Sequence, residues 1–314
     1  MNLLVLEDAR RPPFAEIDIS AWTPNGFEPL GTKPKMWLIE PMTEQLWLFK
    51  EATSNSRADG SAYRKGDDWA ERIATAVAAE LGLPVADTEL ALVDRGDDIA
   101  YGTVSKKVLS DAETLIHGNE LLADIGMGGT STRDRTGYTL AAVQTALGGI
   151  APPSGGEQLT AWEWFVGYLM LDALIGNTDR HQENWAVIEK GDRRLAPTFD
   201  HASCLGFLLD DAARESHLTT NDQNQTVTAY AGRARSKFEG SAHPCDIAHL
   251  GLGMVKPSVQ SHWLQRAERL PSLRPIIDQV PDQRMSDAAR EFAAEMFDAN
   301  RARTLSHPLG TVEI

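Results

Sequence analysis

Asp179, His181 and Asn184 fall within one short segment, and a second carboxylate, Asp200, follows at the end of an apolar run. Between them, Trp185 to Glu189 and Arg193 to Phe199 read as two short strands joined by the turn Lys190-Gly191-Asp192. A hairpin of that kind returns Asp200 to the side of Asn184. The result is one carboxylate free for proton or hydroxyl work, with an amide and a carboxylate oxygen for a hard cation. Mg²⁺ takes a few protein oxygens of this sort and fills its shell with water and substrate phosphates. That chemistry is phosphoryl transfer, and it requires a nucleotide site elsewhere in the chain. Polar residues near a helix end also serve as caps and turns, so the reading depends on the elements that would position them.

On the Asp179 side, Trp162, Phe165, Val166, Leu169, Met170, Ala173 and Leu174 recur with helical spacing, and this helix points into Asn177-Thr178-Asp179. On the other side, Met36–Ile39 and Leu46–Phe49 are apolar runs around Pro41-Met42-Thr43-Glu44, the pattern of a hairpin. Before it lies Leu30-Gly31-Thr32-Lys33-Pro34-Lys35, where glycine allows close backbone approach and lysines could meet a polyphosphate. Lys50 ends the second strand. A lysine there either snorkels to solvent or holds nucleotide phosphates and pairs with a helix glutamate. Ser54 to Asp68 is polar and reads as a loop. Asp67 or Asp68 is the expected N-cap of a helix over Trp69–Leu81, stopped by Gly82 and Pro84. Periodicity of Trp69, Ile73, Val77 and Leu81 puts Glu80 nearer the apolar stripe and Glu71 opposite. A helix clamped between a sheet and a second lobe buries two faces, so the choice of glutamate stays open.

Thr88–Val93 and Ile99–Val104 read as two further strands. Helical patterns follow, which places a lobe boundary at 108/109, with an N-lobe over 1–108 and a mostly helical C-lobe over 109–314. Residues 1–19 read as an edge strand and a Pro-rich turn. Gly126 to Gly137 reads as a flexible connection and Leu140–Leu147 as a short helix. Residues 206–241 read as polar and irregular, with Arg233, Arg235 and Lys237 able to meet an acidic substrate or a phosphorylated residue but read as part of a solvated loop. Helices over Val259–Arg269 and Asp287–Asn300 close the chain.

The 314 residues suffice for two ordinary domains or one large one, and 42% hydrophobic with 24% charged residues is globular composition. A net charge of −15 and a pI near 5.0 argue against nucleic acid as the main partner. Cys204 and Cys245 form no disulfide framework or metal spacing and read as buried thiols of a reducing cytoplasm. No secretory signal is expected, since the apolar Met1–Leu6 is too short and has no basic n-region. The stretch around Trp162–Ile175, interrupted by Glu163 and Asp172, is too short and polar for a bilayer span. A cytoplasmic protein with no membrane partner is expected.

Taken together, Gly31 to Lys35, Lys50, Glu71, Asn177-Thr178-Asp179-Arg180-His181-Gln182-Glu183-Asn184 and Ala196-Pro197-Thr198-Phe199-Asp200 resemble the HipA-like serine/threonine kinases. The resemblance runs from about Gly31 to Asp200. The DRHxxN string is also similar to the catalytic loop of phosphatidylinositol kinases. The resemblance implies an α+β, two-lobed protein-kinase-like fold using ATP and Mg²⁺ to phosphorylate a protein Ser/Thr hydroxyl, and itself. It implies Asp179 as base or orienter of that hydroxyl, His181 as support of the catalytic loop, and Asn184 and Asp200 as Mg²⁺ ligands. Lys50 would hold the α/β phosphates with Glu71 as its partner. The loop bearing Gly31, Thr32, Lys33 and Lys35 would cover them, and Lys107, Val108 and Leu109 would form the hinge beside adenine. A toxin or effector role and a HipB-like antitoxin partner are further implications. Two departures stand out. The chain has little room for the N-terminal subdomain of full-length toxins, and its phosphate loop offers Thr32 where theirs has a regulatory serine, with Ser54, Ser56 and Ser61 nearby. The alternatives are a lipid or small-molecule phosphotransferase and a non-catalytic nucleotide-binding scaffold.

Overall fold

The computed structural model describes residues 12–27, 35–110, 112–127 and 134–306. Its first part is a sheet backed by one helix. The elements are β1 (Glu16–Asp18), β2 (Thr23–Phe27), β3 (Lys35–Ile39), β4 (Leu46–Glu51), β5 (Ser54–Ser56), β6 (Ala62–Arg64), α1 (Asp67–Glu80), β7 (Thr88–Asp94) and β8 (Ile99–Lys106). The six-stranded sheet has the order β1-β7-β8-β4-β3-β2, antiparallel except for the parallel β1–β7 pair. The β3–β4 hairpin forms where the apolar runs place it, and its register sets Lys35 directly opposite Lys50. β2 has no sequence signature, because Pro24 and Gly26 disfavour a strand; it is tolerated as an edge strand with an irregular register.

Two expectations in this part are corrected. Residues 54–66 are not simply a loop: β5 and β6 pair as a small hairpin, anchored by Tyr63 Oη donating to the Leu208 carbonyl at 2.6 Å and Arg57 Nε to Asp210 at 2.9 Å. Nor does Asp67 or Asp68 cap α1, whose N-cap is Gly66 with no side-chain bond. Both aspartates sit buried in the first turn and work sideways. Asp67 accepts from Thr53 N and Oγ1 at 2.7 and 2.5 Å. Asp68 takes Arg64 at 2.7 Å and the buried Arg284 at 3.0 Å. Arg284 also donates to Glu16 and to the Gly102 and Ala91 carbonyls, so a residue near the C-terminus locks α1 to the sheet.

The second part comprises β9 (Thr114–His117), α2 (Gly118–Asp124), α3 (Leu140–Ala146), α4 (Ala161–Ile175), β10 (Ala186–Lys190), β11 (Asp192–Leu195), α5 (Asp211–Thr219), α6 (Val227–Ala231), α7 (Pro244–Gly253), α8 (Pro257–Arg269), α9 (Arg274–Ile277) and α10 (Asp287–Ser306). The expected β10–β11 hairpin forms. β9 extends it to a three-stranded sheet, where the sequence suggested only helical patterns. Residues 206–241 are likewise less irregular than their polarity suggests, since α5 and α6 lie there, capped by Asp210 and Thr226.

Every residue of α4 is buried. A helix without a polar face must be surrounded, and α4 is enclosed by α1, α7, α8 and α10. A capping box of Thr160 and Glu163 starts it. Gly176 ends it at φ 66°, where a Cβ would lie 2.5 Å from Met296 Cε. Only glycine turns the chain there into the segment carrying Asp179. Cys204 and Cys245 are buried free thiols. No helix among the described residues is long and apolar enough to cross a membrane.

Candidate active site

The segment after α4 is fixed from beneath by a buried ion pair. Asp172, on the last turn of α4, accepts from Arg180 Nε at 2.8 Å and Nη2 at 2.9 Å, and from Asn177 Nδ2 at 2.8 Å. Arg180 Nη1 reaches on to the Asn184 carbonyl at 2.6 Å, and Tyr138 Oη donates to the Arg180 carbonyl at 3.1 Å. Burial works against the Arg180 guanidinium, but Asp172 outweighs it and holds the group charged. With its backbone so tied, the segment presents Asp179 outward. Asp179 N–H donates to Asn177 Oδ1 at 3.0 Å, while its carbonyl accepts from His181 N at 2.7 Å and Asn184 Nδ2 at 2.8 Å. His181 is partly buried, which pushes its pKa down, and its Nδ1 accepts from Glu183 N at 3.2 Å. The imidazole is therefore a neutral brace of the turn.

Asp200 follows the β10–β11 hairpin and adopts φ 60°. A non-glycine residue in the left-handed region costs about 1–3 kcal/mol and persists where its surroundings enforce it. Here three contacts do so. Lys35 Nζ lies 3.3 Å from Oδ2, Lys50 Nζ lies 3.1 Å from Oδ1, and the next residue, His201, donates its N–H to Glu71 at 2.6 Å. Like charges directly opposite on neighbouring strands repel, so the Lys35–Lys50 pair calls for an anion between them. Burial would raise the Asp200 pKa, but Lys50 and then Lys35 outweigh it and hold the carboxyl far below its ordinary range. Burial also works against the Lys50 ammonium, yet Asp200 and then Glu71 push its pKa up.

Glu71, not Glu80, faces this site: Glu71 is buried and Glu80 exposed. Helical periodicity left the choice open because α1 buries two faces, one on the sheet and one on the second part. Glu71 also differs from the direct partner of Lys50 that the resemblance implied. Its two oxygens go to His201 N and to His201 Nδ1 at 3.2 Å, while His201 Nε2 meets Thr198 Oγ1 at 2.8 Å. Glu71 acts on Lys50 through charge and on Asp200 through the backbone of its neighbour. His201 was not singled out in the sequence; its place after Asp200 was the available signal.

These groups line one cleft of about 460 Å³, a volume usual for small-molecule sites. Lys35, Lys50, Glu71, Asp179, His181, Asn184 and Asp200 line it. So do Lys107, Val108 and Leu109, which follow β8, and apolar Leu115 and Phe199. Gly31, Thr32 and Lys33 lie outside the described residues. Lys237, read from sequence as part of a solvated loop, instead meets Asp179 Oδ1 at 3.2 Å.

The donor set fits Mg²⁺. Among the described residues, Asn184 Oδ1 takes no hydrogen bond while its Nδ2 is engaged, and Asp200 supplies carboxylate oxygens. Two protein oxygens beside cations suited to phosphates are what a nucleotide-bound Mg²⁺ requires. No cluster of three or more His, Cys, Asp or Glu side chains among the described residues could hold a metal ion without such help.

A family model described as the HipA-like C-terminal domain matches residues 28–300. The serine/threonine-protein kinase CtkA of Helicobacter pylori is 35% identical over 65 residues, 20% of this chain and 19% of that protein. The chain's match thus spans about a fifth of the length of this curated relative. In overall shape, the crystal structure of a Helicobacter pylori proinflammatory kinase CtkA is similar with a TM-score of 0.69 at 20% identity, covering 93% of this chain and 96% of that one. HipA of Shewanella oneidensis, solved with HipB and operator DNA, is similar with a TM-score of 0.54 at 13% identity, covering 97% and 67%. The architecture is therefore the α+β fold of these proteins.

Proposed function

The chain belongs to the HipA-like C-terminal domain family, and from that premise we propose that it is a serine/threonine protein kinase, transferring the γ-phosphoryl group of ATP to a protein hydroxyl. The observation that carries this reading is the meeting of Lys35, Lys50, Asp179, Asn184 and Asp200 on one cleft that apolar Val108, Leu109, Leu115 and Phe199 also line. Lys107 to Leu109 and the apolar wall would take the adenine. Lys50 and Lys35 would offset the charge of the phosphates. Asn184 and Asp200 would hold Mg²⁺, which supplies charge neutralisation at the phosphate oxygens when bound. Asp179 would accept a hydrogen bond from the acceptor hydroxyl and take its proton as the new bond forms. Most of the acceleration in such a site comes from positioning and preset charge, and Arg180, Tyr138 and Glu71 serve that by fixing backbone. The proposed lobes, 1–108 and 109–314, would each contribute residues to this cleft, as Lys50 and Asp179 do.

The test is incubation with labelled ATP and Mg²⁺, alone and with cell extract. Label on protein supports the reading, and label confined to lipid or small molecules replaces it with a different phosphotransferase. Nucleotide binding with no transfer to any acceptor, itself included, leaves a scaffold. Lys50→Met is expected to lower transfer by about 10²-fold or more, since it removes a preset cation from the phosphates. A variant within threefold of the wild type would exclude that role. The toxin role and a HipB-like partner enter through the family. Expression of the wild-type chain, but not of the Lys50→Met variant, is expected to arrest growth, and equal growth of the two strains removes the toxin role.

A further inference from the structure

The geometry points to Lys237 as a catalytic residue, a cation that contacts the phosphoryl group in transit; this rests on the kinase reading above. A half-exposed lysine–aspartate pair contributes little to stability, so the 3.2 Å contact with Asp179 does not account for the order around Lys237. That order is considerable. Phe238 is buried and stacks on Tyr138 at 4.4 Å between ring centroids and 10° between planes. Ser236 N donates to the Ala242 carbonyl and Glu239 N to the Tyr138 carbonyl, each at 2.9 Å. Arg135 bridges the Ser236 carbonyl and Ser241 Oγ. The same Tyr138 donates its hydroxyl to the Arg180 carbonyl, one residue from Asp179. Lys237 and Asp179 are thus held in register through Tyr138, independently of their ion pair.

The distances then constrain what Lys237 meets. An acceptor hydroxyl lies about 2.6–3.2 Å from its base. The phosphorus it attacks lies about 3–3.5 Å further on. A lysine ammonium touching Asp179 would come within reach of phosphoryl oxygens at that separation by rotation of its own side chain. Lys35 and Lys50 both converge on Asp200, and Asp179 has no charged partner other than Lys237 among the described residues. In the step, a bond forms between the acceptor oxygen and the γ-phosphorus while the bond to the β–γ bridging oxygen breaks. ADP leaves with that electron pair, and the hydroxyl proton passes to Asp179. Lys237 keeps its protons and meets the charge spread over the three equatorial oxygens.

The test compares wild type, Lys237→Ala and Lys237→Arg for binding of ADP and of ADP with aluminium fluoride, in Mg²⁺, beside kcat and KM for ATP. The alanine variant is expected to lose about 10²-fold in kcat and a similar factor in the tightening caused by aluminium fluoride. Its affinity for ADP and its KM for ATP stay within about threefold, and its Tm within about 2 °C, as for a surface change. The arginine variant, keeping the charge, recovers at least about tenfold of the loss. Alanine values within threefold of wild type throughout, or a parallel fall in ADP affinity, overturn the role of Lys237 while leaving the kinase reading in place. A wild-type protein that binds no ADP, or transfers no phosphate to any acceptor, removes the kinase reading and this inference with it.

Discussion

Asp179→Asn is expected to lower phosphate transfer by about 10²–10⁴-fold, the usual contribution of a positioned base. The substitution keeps the size of the side chain and exchanges one acceptor oxygen for a donor group, so the attacking hydroxyl loses its partner. Backbone geometry should survive. The Asp179 N–H is held by Asn177 Oδ1 and its carbonyl by Asn184 Nδ2, neither of which involves the substituted atoms. The side chain is 36% exposed with one charged neighbour, so stability should move by no more than about 0.5 kcal/mol. Single-turnover measurement at saturating ATP is the appropriate reading, since the residues proposed to hold the nucleotide are groups other than Asp179. A variant transferring phosphate within tenfold of wild type would exclude Asp179 as base.

The largest stability effect is expected at Asp172. Removing it by Asp172→Ala leaves the Arg180 guanidinium, whose side chain is 3% exposed, without its counter-charge. Breaking one side of a buried pair costs about 3–5 kcal/mol. Asn177 loses its side-chain partner at the same time. The urea midpoint should fall accordingly. The double variant Asp172→Leu with Arg180→Met separates fold from function. A buried pair replaced by apolar side chains of similar volume is often neutral, so most of the stability should return. Transfer should remain low, because nothing then draws the Asn184 carbonyl toward the base of the segment. Full recovery of transfer in the double variant would mean that the ion pair supports only the fold.

Sequence and structure agree where a local pattern leaves one solution. The apolar runs of β3 and β4, the helically spaced apolar residues of α4 and the Gly191 turn between β10 and β11 each specify their element without help from elsewhere. They fail to agree where burial comes from a distant partner. Asp67 and Asp68 look like caps, and become a buried hydrogen-bond acceptor and a buried ion-pair member only because Thr53 and Arg284 approach them. β9 becomes a strand because β10 offers it an edge. Arg180 is a polar residue in a polar segment until Asp172 is placed beneath it. Asp172 itself, a carboxylate in the last turn of an apolar helix, was a visible signal of that partnership.

For the site, the sequence by itself determined which candidate groups are available: Asp179, Asn184 and Asp200 in order, with Lys35 and Lys50 on a hairpin upstream. Residue types and spacing are enough, because each stands at the end of a locally specified element. Only the tertiary structure decided which charges meet. The choice of Glu71 over Glu80, the capture of Glu71 by His201, the sharing of Asp200 between two lysines and the arrival of Lys237 at Asp179 all depend on the packing of distant elements. Periodicity identifies a face that is buried, but a helix held between two layers has two such faces. Electrostatic partners falling within 4 Å of one another through space leave no trace in sequence separation.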